Sequence, residues 1–425
     1  MKKLLMLGTS NGSCSIVEYA KSAGIYTVVT DNLPIEASIA KKIADEYWMI
    51  STSEIDLLEK KCRETGINAV MSGASDYNVA RVIELTSRLG LPSFCSEKVW
   101  HYSVDKYDFK QKCKEFNVPI PDDYIISSTF NEEDLRKVAF PVMVKPVDLS
   151  GNKGISYCYN KEDLIRAYKY AKSVSSSDRI IVERMLHGEE WYASYALAQG
   201  QIRLIALNAM FSEPGEPKNC YTITTTVSNH VEEFINQVNP KIEKLLTEGI
   251  GCKEGYCWVQ LMHDEDGKFY IIEMGYRLDG DMMFIPYKDV CGFDTLSFLV
   301  NYACGISNTI DDLPSPQTKA FKRCGCGLML WTNKGGTITS IEGLQDLNIP
   351  GAVIDFRHRV GDQINKYTSL GNIMFTSTDC DEMCRIIDSI NHHIRILNEH
   401  GEDVIIKYTD FNYLKQVYND GLAGK

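Results

Sequence analysis

The chain has 425 residues and a formal net charge of −12, from 45 Lys and Arg against 57 Asp and Glu. That length suits about two to four domains of roughly 100–200 residues each, and the acidic balance argues against a nucleic-acid backbone as partner. The 14 cysteines show few metal-like spacings. Cys324 and Cys326 form a CxC, Cys380 and Cys384 a CxxxC, and no second matching pair stands at zinc-finger distance. Unpatterned cysteines suit a reducing, cytoplasmic setting. Lys2 and Lys3 precede only the apolar residues 4–7 before Gly8, too short a run for a signal sequence. No stretch approaches the ~20 apolar residues of a membrane span.

The first hundred residues alternate strand and helix. KLLMLG reads as a strand, GTSNGS as a glycine-rich turn, CSIVEYAKSAG as a helix with a glycine stop, and IYTVVTD as a second strand. A helix around 53–65, a strand at INAVMSG and a helix at 76–89 follow. This alternation predicts an α/β, doubly wound parallel sheet. The turn from Gly8 to Gly12 lacks the full GxGxxG spacing. Asp31 ends the second strand, where a ribose-binding acid would sit, but the incomplete fingerprint argues against NAD.

Residues 101–125 read as an amphipathic helix stopped by Asn117 and Pro119. Short strands then interleave with helices: FPVMVKPV, GISYCY, RIIVERM and EEWYASYALAQGQIRLIAL. A loop rich in Pro, Gly and Thr is expected at 212–229, a helix at 230–248, and a strand pair in YCWVQLMHDEDGKFYIIEM with a hairpin turn at 264–267. A helix near 293–304 precedes the Pro-containing stretch 311–317, where a domain boundary is placed. The remainder reads as a small antiparallel β unit with one helix, 379–399. No internal repeat or low-complexity tract is present.

Three segments carry chemistry. YIIEMGYRLDGD runs an apolar strand into Glu273, with Gly275 and Arg277 after it. A strand-end carboxylate suits Mg²⁺, which takes one or two carboxylates plus phosphate oxygens, and an Arg fork suits the same phosphate. A surface ion pair would use the same residues. FPVMVKPVDLSGNKGISYCY ends a strand at Lys145 and places Lys153 in a glycine-flanked turn, Ser150, Gly151, Asn152, Lys153 and Gly154. Glycines let backbone N–H groups approach phosphate oxygens, although a hairpin tip with solvated lysines fits equally, and no Walker A pattern is present. In RIIVERMLHGEEWYASYAL, Glu183 ends a strand while Gly188 and Glu190 open the next; these acids suit a ribose or the surface. His187, His263, His392 and His393 form no ligand set, since adjacent His392 and His393 point about 100° apart on a helix. Trp191, Tyr192 and Tyr195 read as core.

In order along the chain, these segments resemble the ATP-grasp superfamily, in particular the branch with biotin carboxylase, carbamoyl-phosphate synthase and the L-amino-acid ligases. The tail, TITSIEGLQDLNIPGAVIDFRHRVGDQI and SLGNIMFTSTDCDEMCRIIDSINHHI, resembles that branch's C-terminal domain. The resemblance implies a Rossmann-like domain at 1–100, an ATP-grasp domain at 101–310 with a lid at about 125–188, and a β-rich C-terminal domain at 311–425. It implies that Lys106 and Lys145 hold ATP phosphates and that Ser150, Gly151, Lys153 and Gly154 close over them. Glu183 would lie at the adenine–ribose hinge, offering backbone groups to the base and its carboxylate to the ribose, with Glu190 near the ribose. Glu273, with Gln260, would bind Mg²⁺ (or Mn²⁺). Arg277 and Lys153 would be catalytic.

Two positions depart from the family pattern: the usual partner acid is Gln260, and the usual Asn is Gly275. They imply weaker metal binding. The implied reaction is ATP-dependent ligation of a small carboxylate to an amine through an acyl phosphate, by a cytoplasmic protein for which a homodimer is the default expectation. Tyr221 and Thr222 of the 212–229 loop would read the acid. Two alternatives remain: an ATP-binding regulatory protein with weak or no catalysis, and a bicarbonate-using carboxylase or carbamoyl-phosphate-synthase-like enzyme. The carboxylase ranks lower because no biotinyl-carrier signature follows and its catalytic Arg is hard to place. Arg323 is the nearest candidate, and a strand-edge cation is the preferred reading of it.

Overall fold

Alternate apolar residues of one N-terminal strand feed two cores. In the computed structural model, which describes residues 1–149, 154–177, 179–227 and 229–419, β1 (Lys3–Leu7) points Leu4 and Met6 at the helix Ser13–Ser22. Its Leu5 and Leu7 meet Leu58, Cys62 and Leu85 on the other side. With β2 (Tyr26–Thr30), β3 (Glu46–Trp48) and β4 (Ala69–Met71) it forms a parallel sheet in the order β3-β2-β1-β4. Burial on both faces explains the unbroken apolar run. Asp31 is taken up within this unit: Lys41 Nζ lies 2.7 Å from Oδ1 and Ser38 donates to Oδ2 at 3.0 Å.

The single helix expected at 101–125 is two, Glu97–Val104 and Lys106–Glu115. Asp105 is the break. Its backbone is extended and its carboxylate accepts from Asp108 N at 2.9 Å, so it caps the second helix and sets Lys106 at its first position. Next, β5 (Val142–Pro146), β6 (Ser156–Cys158) and β7 (Ile180–Arg184) make a small antiparallel sheet in the order β6-β5-β7. The helix Lys161–Val174 covers it, burying Leu164, Ala167 and Ala171 against Val142, Val144 and Val182.

The largest layer is an eight-stranded antiparallel sheet. Its members are β8 (Gly188–Ala198), β9 (Gln201–Ser212), β10 (Tyr221–Thr226), β11 (Gly255–Asp264), β12 (Phe269–Gly275), β13 (Cys324–Trp331), β15 (Val353–Phe356) and β17 (Ser369–Ser377), in the order β12-β11-β8-β9-β10-β13-β17-β15. The β11–β12 hairpin closes at the expected turn, with Gly267 N donating to Asp264 O at 2.9 Å. The loop expected at 212–229 contains a strand, β10. β10 pairs with both β9 and β13, and its threonines are buried. β-Branched Thr suits a pleated, half-apolar surface, so the Pro and Gly signal belongs to residues 213–220 alone.

The helix expected at 230–248 restarts at Pro240, as Val231–Gln237 and Asn239–Lys244. A third small sheet, β16 (Gln363–Ile364), β14 (Gly336–Glu342) and β18 (Arg395–Asn398), completes the C-terminal region. The helix expected at 379–399 spans Cys380–His393, because Ile394 turns extended and β18 pairs with β14. A second helix, Phe411–Asn419, lies outside the expected pattern. Among the described residues no helix is long and apolar enough to cross a membrane.

Candidate active site

Strand register creates the centre of the site. Glu273 on β12 lies directly opposite Gln260 on β11, and Glu190 on β8 pairs with Met262, two residues away along β11. Opposed residues share a face, so three oxygen-bearing side chains line up across three adjacent strands. Gln260 Nε2 donates to Glu190 Oε2 at 3.1 Å, and the Tyr221 hydroxyl donates to the same oxygen. Burial pushes the Glu190 carboxyl up and Glu273 adds to the rise, against the hydrogen bonds from Tyr221 and Gln260.

Lys106 reaches this row from its helix start. Its Nζ is 3.1 Å from Glu273 Oε2 and donates to Leu149 O at 2.9 Å. Lys145 stands 2.5 Å from Glu183 Oε1, and Lys110 bonds the other carboxylate oxygen. All three are buried. Burial pushes Glu183 up, but Lys145 and Lys110 more than offset it and hold the carboxyl at about 2. The same burial lowers the Lys145 ammonium; the carboxylate is the firmer charge, having two cations beside it. The expectation that this carboxylate meets a ribose is therefore revised: it joins two lysines, and only its backbone remains for a hinge.

Lys106, Lys145, Glu183, Glu190, Gln260 and Glu273 all line one cavity of about 600 Å³, with Met143, Ile155, Leu186 and Met262 as apolar wall. That volume suits a nucleotide-sized ligand. Ammonium groups at one wall, apolar flanks and a row of oxygen ligands fit a polyphosphate nucleotide with a hard divalent cation. Ser150, Gly151 and Lys153 lie outside the described residues. Gly154 lies next to Pro146, with a left-handed backbone of φ 79°.

A second cavity of about 410 Å³ adjoins the first, sharing Tyr221 and Gln260. Arg277 lines it, bonded through Nε to Asp76 and lying over the Trp258 ring at 5.2 Å. That stacking explains Gly275. A Cβ there would fall 2.2 Å from the Trp258 indole, so the position can carry no Asn while Trp258 holds its place. Asp279 and Asp281 lie at the wall. Tyr192 donates to both oxygens of Asp281 at 3.1 and 2.9 Å, and Tyr256 to Asp279. Burial and the Asp281 charge push Asp279 well up.

Other expected residues stand elsewhere. Thr222 is buried and donates to Phe211 O at 3.2 Å, so it reads no substrate; Tyr221 lines both cavities. Arg323 is exposed and bonds the Thr376 hydroxyl; it precedes β13, which is paired on both sides, so it stands at a strand end and not at a sheet edge. His263 faces His230 with ring centroids 4.2 Å apart and planes tilted by 39°, and Glu233 accepts from His230 Nδ1 at 2.9 Å; the ligand atoms of these three lie within 4.8 Å of one another. Sequence reading missed Lys110, although it lies one helical turn from Lys106 on the same face. It also missed Arg357 and Asn11, which meet across the second cavity and are brought together from opposite ends of the chain.

A nucleotide-sized cleft between a small antiparallel sheet and the large eight-stranded one is the arrangement of the ATP-grasp fold. Residues 138–284 match the family model described as an ATP-grasp domain, and the chain carries that domain. Biotin carboxylase from Campylobacter jejuni, solved as a β-γ-ATP complex, is similar at 14% identity and TM-score 0.80, covering 100% of this chain and 99% of that one. The biotin carboxylase domain of Hydrogenobacter thermophilus 2-oxoglutarate carboxylase, solved with MgADP, ADP and bicarbonate, is similar at 17% identity and TM-score 0.77, covering 95% and 91%. The L-amino acid ligase from Bacillus licheniformis is similar at 16% identity and TM-score 0.72, covering 94% and 99%. At such identities the likeness is one of fold.

Proposed function

We propose that the protein is a cytoplasmic ATP-dependent carboxylate–amine ligase working through an acyl phosphate, with residues 1–100, 101–310 and 311–425 as its three domains and 125–188 as the lid. The observation that carries this is the pair of adjoining cavities: one with Lys106, Lys145 and Glu273, the other with two guanidiniums, meeting at Gln260 and Tyr221. A carboxylate oxygen would attack the γ-phosphorus of ATP, breaking its bond to the ADP oxygen and releasing ADP. An amine nitrogen would then attack the acyl carbon, expelling phosphate and losing a proton. Carboxylates are poor electrophiles, and positioning with charge neutralisation supplies most of the catalysis in phosphoryl transfer.

Lys106 and Lys145 would hold phosphates, and Arg277 with Lys153 would meet the charge that moves between ADP and acyl oxygen. Bound at Glu273 with the Gln260 carbonyl, Mg²⁺ (or Mn²⁺) would neutralise phosphate charge. Glu190 stands beside that pair more than at a ribose. Fourteen free cysteines support a reducing compartment, and homologous fold neighbours support a homodimer as the working assembly. The Gln260 departure favours a second reading, a nucleotide binder without turnover.

The test supplies Mg-ATP with pools of carboxylic acids and amines. Substrate-dependent ADP and phosphate, falling by about 100-fold or more in Glu273→Ala, is expected. ATP binding with no turnover in any pool would favour the second reading.

A further inference from the structure

Arg357 is a guanidinium with no acid in direct contact among the described residues. Among the described residues its hydrogen bonding is a single bond from Nη1 to Asn11 Oδ1, and no carboxylate lies within 4.0 Å of it. Its Nε is buried with no acceptor. Asp355, the nearest acid by sequence, accepts from Gly12 N at 3.1 Å and acts on Arg357 only through its charge at longer range. Arg277 shows the contrast: it lines the same cavity but has Asp76 as partner. A half-buried cation with no partner in contact is costly, because desolvation is fully repaid only by a partner of opposite charge in good geometry. The fold nevertheless holds Arg357 in place from two sides, by the N-terminal turn at Asn11 and by the end of β15.

We infer that Arg357 anchors a carboxylate that is not the one activated, carried on a largely apolar body. Resting on the ligase reading, this adds what that reading leaves open: the substrate pair brings two carboxylates into the cavity, one to Arg277 and one to Arg357. Trp258 and Trp331 in the same wall suit an apolar or aromatic body between them. The fork of Arg matches a carboxylate bidentately. Two sources share this chemistry: an amino acid serving as the amine, or a dicarboxylate serving as the acid.

The test is a thermal shift of the full-length protein without nucleotide. The probes are the L-α-amino acids against their α-carboxamides, and straight-chain dicarboxylic acids against their monoamides. The expected result is stabilisation by one set of carboxylates and none by its amides, abolished in Arg357→Met and partly kept in Arg357→Lys. In turnover, KM for that substrate should rise by about 30-fold or more in Arg357→Met. A shift from amino acids assigns the anchor to the amine; a shift from dicarboxylates assigns it to the acid. Equal shifts from carboxylates and amides, no shift from any probe, or a preference that survives in Arg357→Met would overturn the inference. The wild-type comparison needs no variant to fold, and it stands whether or not ADP is released, so failure of the ligase reading is seen separately.

Discussion

Glu183 shows how much one buried carboxylate can hold. Lys110 arrives from a helix, Lys145 from β5 and Glu183 from β7, and the three charges meet out of water. Removing the acid would strand two ammonium groups, so Glu183→Gln should cost about 3–5 kcal/mol of stability, read from the denaturant midpoint. The folded carboxyl titrates at about 2, below its unfolded value near 4.5. Its contribution is therefore complete above about pH 4.5 and is lost as pH falls toward 2. The gap between wild type and Glu183→Gln should close across that window; a gap unchanged from neutral pH to pH 2 would show that the charge network contributes nothing. At this scale the sequence was legible where a residue ends a strand, as at Lys145 and Glu273. It was illegible where the partner comes from another element, as with Lys110 on Glu183 or Trp258 on Gly275.

At the scale of elements, the start of β8 sets the row of oxygen ligands. A Cβ on Gly188 would fall 2.0 Å from the His263 carbonyl of β11, so glycine is what lets the start of β8 close on the end of β11. β8 then carries Glu190 to Gln260. Gly188→Ala should push the strands apart at that end, costing about 1–3 kcal/mol and weakening Mg-nucleotide binding by calorimetry. Unchanged stability and affinity would show that the approach is not needed. Alternating apolar runs made β8, β9, β11 and β12 readable in advance. β10 was hidden because polar threonines, read as loop, are buried between β9 and β13. The single helix expected at 101–125 failed at Asp105, whose capping carboxylate begins a new helix where periodicity saw a continuous one.

The whole molecule joins its ends at the second cavity. Asn11 near the start of the chain bonds both Gly280 O and Arg357, and Asn372 donates to the same Gly280 carbonyl at 2.9 Å. The eight-stranded sheet runs from β12 through β8 to β15, so strands from beyond residue 311 extend, through β10, the same sheet that carries Glu273 at its other end. The order of loose motifs made the nucleotide cavity legible. The second cavity was not, because its walls come from segments more than 300 residues apart that no local pattern links. The proposed reaction begins with transfer of phosphate to a carboxylate oxygen. Its most direct test is turnover of a carboxylate labelled with ¹⁸O in both oxygens, followed by mass analysis of the phosphate released. An acyl phosphate predicts inorganic phosphate carrying one labelled oxygen. Label appearing in AMP, or phosphate released without label, would contradict it.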